Sequence, residues 1–182
     1  YTADSNTDFS VQLKKIKDSG AELLFLPNYY ADNALILQQA HDAGMDDVKK
    51  FGVDGMDGIL GVENFDTSLA EGVMLLTPFN ADATDEKTQS FVTKYKELYG
   101  DVPNQFAADA YDCVYAYKAA LEASGATADM TAEELCDKLI EAFPTLTYDG
   151  LTGTGITWDS TGAVSKTPKG MVIKNGAYVG ME

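Results

Sequence analysis

Asp54 and Asp57, three residues apart in Asp54-Gly55-Met56-Asp57, are the carboxylates whose spacing could do chemistry. Such a pair could serve acid–base catalysis or hold Mg²⁺. Aspartyl-nucleophile phosphatases need Asp at i and i+2 followed by a hydroxyl residue, and Met56 breaks that pattern. A carboxylate just beyond a strand in an open α/β sheet stands where ligands bind. Asp54 is therefore read as a ligand contact, with a solvated loop charge as the alternative, and Asp57 as a solvated charge. Tyr29 and Tyr30 directly follow an apolar run; they either face a ligand or pack on the next helix, and the pattern does not choose. His41 lies in a helical stretch without a Ser or Cys partner, which favours a surface or core histidine over catalysis. The glycine-rich stretch 150–155 lacks the Lys-Ser/Thr of a phosphate loop and leads into a strand pattern, where a phosphate loop leads into a helix. Cys113 and Cys136 lack zinc-site spacing and are too few for a disulfide framework; in helical patterns they read as small buried apolar residues.

The chain that must position these residues has 182 of them: 13 Lys, no Arg, 29 Asp plus Glu, and a formal net charge of -16. Phosphate contacts need clustered basic residues, so nucleic acid and anionic membrane surfaces are excluded as expected partners. At 45% hydrophobic and 23% charged, the composition is that of a folded globular protein. No run approaches the roughly 18 apolar residues of a membrane span. No signal peptide is visible, and since Tyr1 is not an initiator Met, a trimmed chain is expected.

The first half alternates helical and strand patterns. Thr7 or Asp8 can cap a helix carrying Phe9, Leu13 and Ile16 on one face, with Gly20 as its stop. Leu23-Leu24-Phe25-Leu26 is a continuous apolar run of the kind a strand covered on both faces requires. A helix over about 32–43, short strands at 51–54 and 72–77, and short connections between them predict a parallel α/β sheet. Three amphipathic helices follow over 84–142, the third opened by the capping box Thr131-Ala132-Glu133-Glu134 with Leu135, Leu139 and Ile140 inward. A strand at 155–158 and a hairpin through Asn175-Gly176 close the chain. The three helices have no strand between them to cover, as in part of a larger protein.

Several segments together resemble one family. They are Asp8-Phe9-Ser10, Leu13 to Lys17, Gly20 to Tyr30, Gln39-Ala40, Ala43-Gly44, Gly52-Val53-Asp54-Gly55, Glu71-Gly72-Val73, Tyr111-Asp112, and Gly155 to Asp159 with Gly162. In order and spacing this pattern resembles the extracellular leucine/isoleucine/valine-type substrate-binding proteins of ABC transporters. The resemblance implies an α/β fold of type I periplasmic-binding form: two lobes of parallel sheets flanked by helices, closing on a ligand. It implies only the C-terminal half of that fold, with the first half missing. Residues 1–78 would be the latter part of lobe 2, 79–167 the C-terminal part of lobe 1, and 168–182 the return to lobe 2.

Three positions carry over from the resemblance. Asp54 would bind a ligand's α-ammonium, Tyr29 would hold the same end, and Phe106 would line the pocket. Asn28, Tyr30, Gly55 and Met56 adjoin them as further expected contacts, while the groups for the α-carboxylate would belong to the missing half. The implied function is non-catalytic delivery of an amino acid, branched-chain or otherwise small, to a membrane permease. It would take place outside the cell or in the periplasm, on a full-length protein anchored to the membrane as a lipoprotein. No cofactor, no metal and no enzyme activity are expected. The alternative is a ligand-sensing domain of the same fold on a signalling or regulatory protein. An acid–base enzyme using Asp54 and Asp57 lacks any nucleophile or metal cluster. The fragment alone is expected to self-associate or to pair with its N-terminal half.

Overall fold

The computed structural model describes residues 1–181 and divides into two compact units, Tyr1–Ala83 with the return from Pro168, and Thr84–Thr167. The first unit runs α1 (Ser10–Asp18), β1 (Leu23–Leu26), α2 (Tyr30–Asp42), β2 (Lys49–Gly52), β3 (Met74–Thr77), then, after the second unit, β4 (Lys169–Lys174) and β5 (Ala177–Gly180). The sheet order is β1-β2-β3-β4-β5. Strands β1 to β3 are parallel, as the helix–strand alternation requires, and Phe25, Phe51 and Met74 stand in register across them. Antiparallel β4 and β5 make the sheet mixed, with Met74 opposite Val172 and Val172 opposite Val179. Asn175 and Gly176 turn that hairpin with φ of 53° and 73°, the two left-handed residues of a type I′ turn.

Helices α1 and α2 cover one face. Phe9 and Leu13, with Ala34, Ile36, Leu37 and Ala40, pack on Leu24, Leu26, Leu75 and Ile173. The other face of β1 carries Leu23 and Phe25, 50% and 54% exposed. The Leu23–Leu26 run was expected to be covered on both faces; among the described residues only one face is covered. Local chemistry otherwise sets the boundaries. The cap position of α1 falls on Phe9, and Asp8 serves from one residue further out, its Oδ1 accepting the Ser10 N–H at 2.9 Å. Strand β2 ends at Gly52, because residues 54–56 form a 3₁₀ turn where a strand end was expected.

The second unit holds α3 (Glu86–Tyr99), α4 (Gln105–Ser124) and α5 (Ala132–Ala142). Asp85, Asn104 and Thr131 cap them, each accepting a backbone N–H, and Thr131 with Glu134 forms the full capping box. The expected strand at 155–158 is absent from the described residues. Only isolated bridges, Tyr148 to Ile156 and Trp158 to Val164, stand there. Buried Asp112 of α4 holds this loop: its carboxylate accepts the N–H groups of Leu151 and Thr152, each at 2.8 Å, and the Thr152 hydroxyl at 2.7 Å. Apolar faces remain open, with Leu98, Tyr99, Val114 and Ile140 exposed. Ile140, expected inward, is among them, and the described residues of the second unit include no strand for it to pack on. Cys113 and Cys136, expected buried, are likewise exposed.

Candidate functional site

The carboxyl ends of β1 and β2 lie side by side, Leu26 opposite Gly52, and each leads at once into a sharp turn. After β1 the chain passes through Pro27 and Asn28 to Tyr29, which caps α2 in extended conformation. After β2 it enters the Asp54–Met56 turn. The two loops touch through Gly55: a side-chain Cβ built there would sit 2.9 Å from the Asn28 carbonyl oxygen and 3.5 Å from the Tyr29 Cα. No residue larger than glycine allows that approach without moving one loop. Residues 28–29 and 54–55 therefore form one surface, on which Asp54 and Tyr29 are exposed, Tyr29 by 67%.

Asn28 and its loop are held from below. Asn33, fully buried on α2, donates its amide to the Asn28 carbonyl at 2.8 Å. The Tyr1 hydroxyl lies 2.9 Å from both Asn28 Oδ1 and Asp32 Oδ2, so its single proton is shared between two acceptors. Burial, then the Asp32 hydrogen bond and charge, push that phenol above its ordinary value. Tyr30 packs against the core, which answers for it the alternative left open by the sequence. Met56, expected as a contact, has no exposed surface; its side chain fills the core beside Gly52, where an added Cβ would lie 2.5 Å from Met56 Sδ. Phe106 is the second residue of α4 in the second unit and is 36% exposed. Asn28, Tyr29, Asp54 and Gly55 are thus brought together at one sheet edge of the first unit.

Asp57 departs from its reading as a solvated charge. It is 3% exposed, and the Thr77 hydroxyl donates to its Oδ2 at 3.2 Å. Spacing does not reveal this, because the partner comes from β3, twenty residues on. Asn33 carried a clearer signal: a polar residue on the apolar face of α2, between Tyr30 and Ile36. Among the described residues, no group of three or more His, Cys, Asp or Glu could hold a metal ion, and no helix is long and apolar enough to cross a membrane.

The carboxyl edge of a parallel α/β sheet is where folds of this kind take small molecules, and here it carries an exposed acid and an exposed aromatic. Comparison with known proteins agrees. Residues 1–177 match the family described as periplasmic binding protein, and the chain belongs to that family, whose members bind solutes and are not enzymes. It is 28% identical over 177 residues to the Leu/Ile/Val-binding protein homolog 3 of Brucella melitensis, covering 96% of this chain and 45% of that one. The leucine-binding protein of Thermotoga maritima superposes with a TM-score of 0.79 at 25% identity, over 98% of this chain and 49% of that one. The isoleucine-bound branched-chain amino acid binding protein of Streptococcus pneumoniae gives 0.78 at 27% identity, over 100% and 51%. A benzoate-bound solute-binding protein of R. palustris, with a TM-score of 0.81 at 15% identity, shares the fold. The chain spans about half the length of the relatives it matches.

Proposed function

We propose that this chain is the C-terminal half of an amino-acid-binding protein that delivers its ligand to an ABC transporter permease. In this reading residues 1–78 and 168–182 belong to one lobe and 79–167 to the other. The protein works in the periplasm or at the outer cell surface, anchored there as a lipoprotein. The observation that carries the reading is the contact through Gly55, which sets exposed Asp54 beside exposed Tyr29 at the carboxyl edge of the sheet. Asp54 takes the α-ammonium of a branched-chain or other small amino acid, and Tyr29 packs on the same end. Asn28 acts through its backbone and Gly55 by its lack of a side chain, and Phe106 is a further apolar contact that the resemblance implies. Names of the Brucella, Thermotoga and Streptococcus relatives support an amino acid as the ligand.

The test is a thermal-shift screen of the full-length protein against the standard amino acids and a set of aromatic carboxylates that includes benzoate. Stabilisation by a ligand follows its concentration over Kd, so a binder at a hundredfold excess adds roughly 2.7 kcal/mol. A shift with leucine, isoleucine or valine and none with benzoate is expected. A shift with benzoate alone would remove the ammonium, and with it the role given to Asp54.

A further inference from the structure

A carboxylate as buried as Asp57 needs partners of its own. It sits one residue beyond the Asp54–Met56 turn. Its Oδ2 receives the hydroxyl of Thr77, the last residue of β3 and itself buried. That hydroxyl also accepts the Phe79 N–H at 3.2 Å and lies 3.0 Å from the Phe79 carbonyl oxygen. Its one proton serves either Asp57 or the Phe79 carbonyl, so the Thr77 hydroxyl links the turn to the chain leaving β3. From the other side comes Tyr178 of β5, whose hydroxyl oxygen accepts the Gly58 N–H at 3.1 Å. Burial and the nearby Asp57 carboxylate hold that phenol well above its ordinary value, which places the two groups in one low-dielectric pocket. Three segments of the first unit meet at this point: the turn carrying Asp54, the exit from β3 and the C-terminal strand.

We infer that Asp57 is a positioning residue for ligand binding, fixing the Asp54 turn to the exit of β3 through the Thr77 hydroxyl. Asp54 is exposed on a three-residue turn that buried Met56 and the Gly55–Asn28 approach hold from within, and Asp57 adds a polar tie at its far end. The inference rests on the reading of Asp54 as the ligand's anchor. The effect on binding passes through hydrogen-bond acceptance by Asp57 and does not require its charge.

Calorimetry with L-leucine on the full-length protein tests this with Asp57→Ala, Asp57→Asn, Thr77→Val and the Ala/Val double variant. Asp57→Ala and the isosteric Thr77→Val should each weaken binding about tenfold, the scale of one lost buried hydrogen bond. The double variant should be no weaker than the worse single one, because both remove the same link. Asp57→Asn, whose amide oxygen can still accept from Thr77, should recover most of the loss. Wild-type affinity in both Asp57→Ala and Thr77→Val overturns the inference. If the wild-type protein does not bind L-leucine, the amino-acid reading fails separately, and amide hydrogen exchange decides the positioning role. Faster exchange in Asp57→Ala confined to 54–58 and 77–79 supports it; exchange unchanged there, or raised evenly across the first unit, overturns it.

Discussion

His41, the only histidine in the chain, stands in the last turn of α2, where the helix carbonyls favour a cation. Its Nδ1 lies 2.8 Å from Asp46 Oδ1. The hydrogen bond to Asp46, then the charge of Asp46, raises the imidazole above the ordinary histidine value, and the same contact lowers Asp46. The sign follows by linkage. A raised base contributes stability that is complete below its unfolded pKa and fades as pH climbs through the folded one. A lowered acid contributes stability that is present above its unfolded pKa and fades as pH falls through the folded one. The pair therefore acts between the lowered Asp46 value and the raised His41 value, and as both side chains are exposed its effect on stability is small. NMR should find the single imidazole titrating above a free histidine, and Asp46→Asn should bring the midpoint down. A midpoint that Asp46→Asn leaves in place contradicts the pairing.

Among the elements, α4 and the loop at 148–152 are joined through one buried carboxylate. Asp112 accepts from two backbone N–H groups and the Thr152 hydroxyl, and the Tyr148 hydroxyl adds a longer contact at 3.3 Å. Gly150 lies so close that an added Cβ would sit 2.3 Å from Asp112 Oδ2. Replacing Asp112 by Ala leaves buried donors without acceptors, at a cost on the order of 3 kcal/mol to the second unit's unfolding. Chemical denaturation checks it, and a loss below about 0.5 kcal/mol would mean that the loop is held by other contacts. The sequence showed this loop only as a glycine-rich stretch and a strand pattern, because its partner lies 36 to 40 residues away. Elements whose causes are local were legible: the Thr131–Glu134 capping box, the Asn175-Gly176 hairpin, and parallel β1 to β3 from their alternation with helices. Tertiary pairing accounts for the misses. Asp57 looked like a loop charge because Thr77 and Tyr178 are distant in sequence, and Met56 looked ligand-facing although the turn sends it into the core. Position just beyond a strand already favoured Asp54 as a ligand contact, whereas Tyr29 kept two readings until the family resemblance was added.

Across the whole chain, each unit presents apolar surface that its own described residues leave open. On the first unit it is the face of β1 with Leu23 and Phe25, whose ring stacks on Phe51 at 6.1 Å. On the second it is a groove of about 1150 Å³ between α3 and α4, where Phe91, Tyr95, Tyr99, Tyr111 and Tyr115 form a run of touching rings. Patches of this kind are uncommon on proteins that live as monomers. With the chain at about half its relatives' length, we propose that the N-terminal half of the protein covers both. Alone, the chain should self-associate in light scattering; produced together with that half, it should elute as a one-to-one complex. A monodisperse monomer without dye-binding apolar surface would contradict this.

The claim that Asp54 anchors the ligand's ammonium is tested most directly by calorimetric titration of L-leucine into the full-length protein and its Asp54→Asn variant. Asparagine keeps the shape of the turn and removes the charge. Losing one member of a desolvated ion pair costs about 2–5 kcal/mol, so leucine should bind roughly 30- to several-thousand-fold more weakly to the variant. Equal affinity in the two proteins would contradict the role of Asp54 and the assignment of an amino acid to this site.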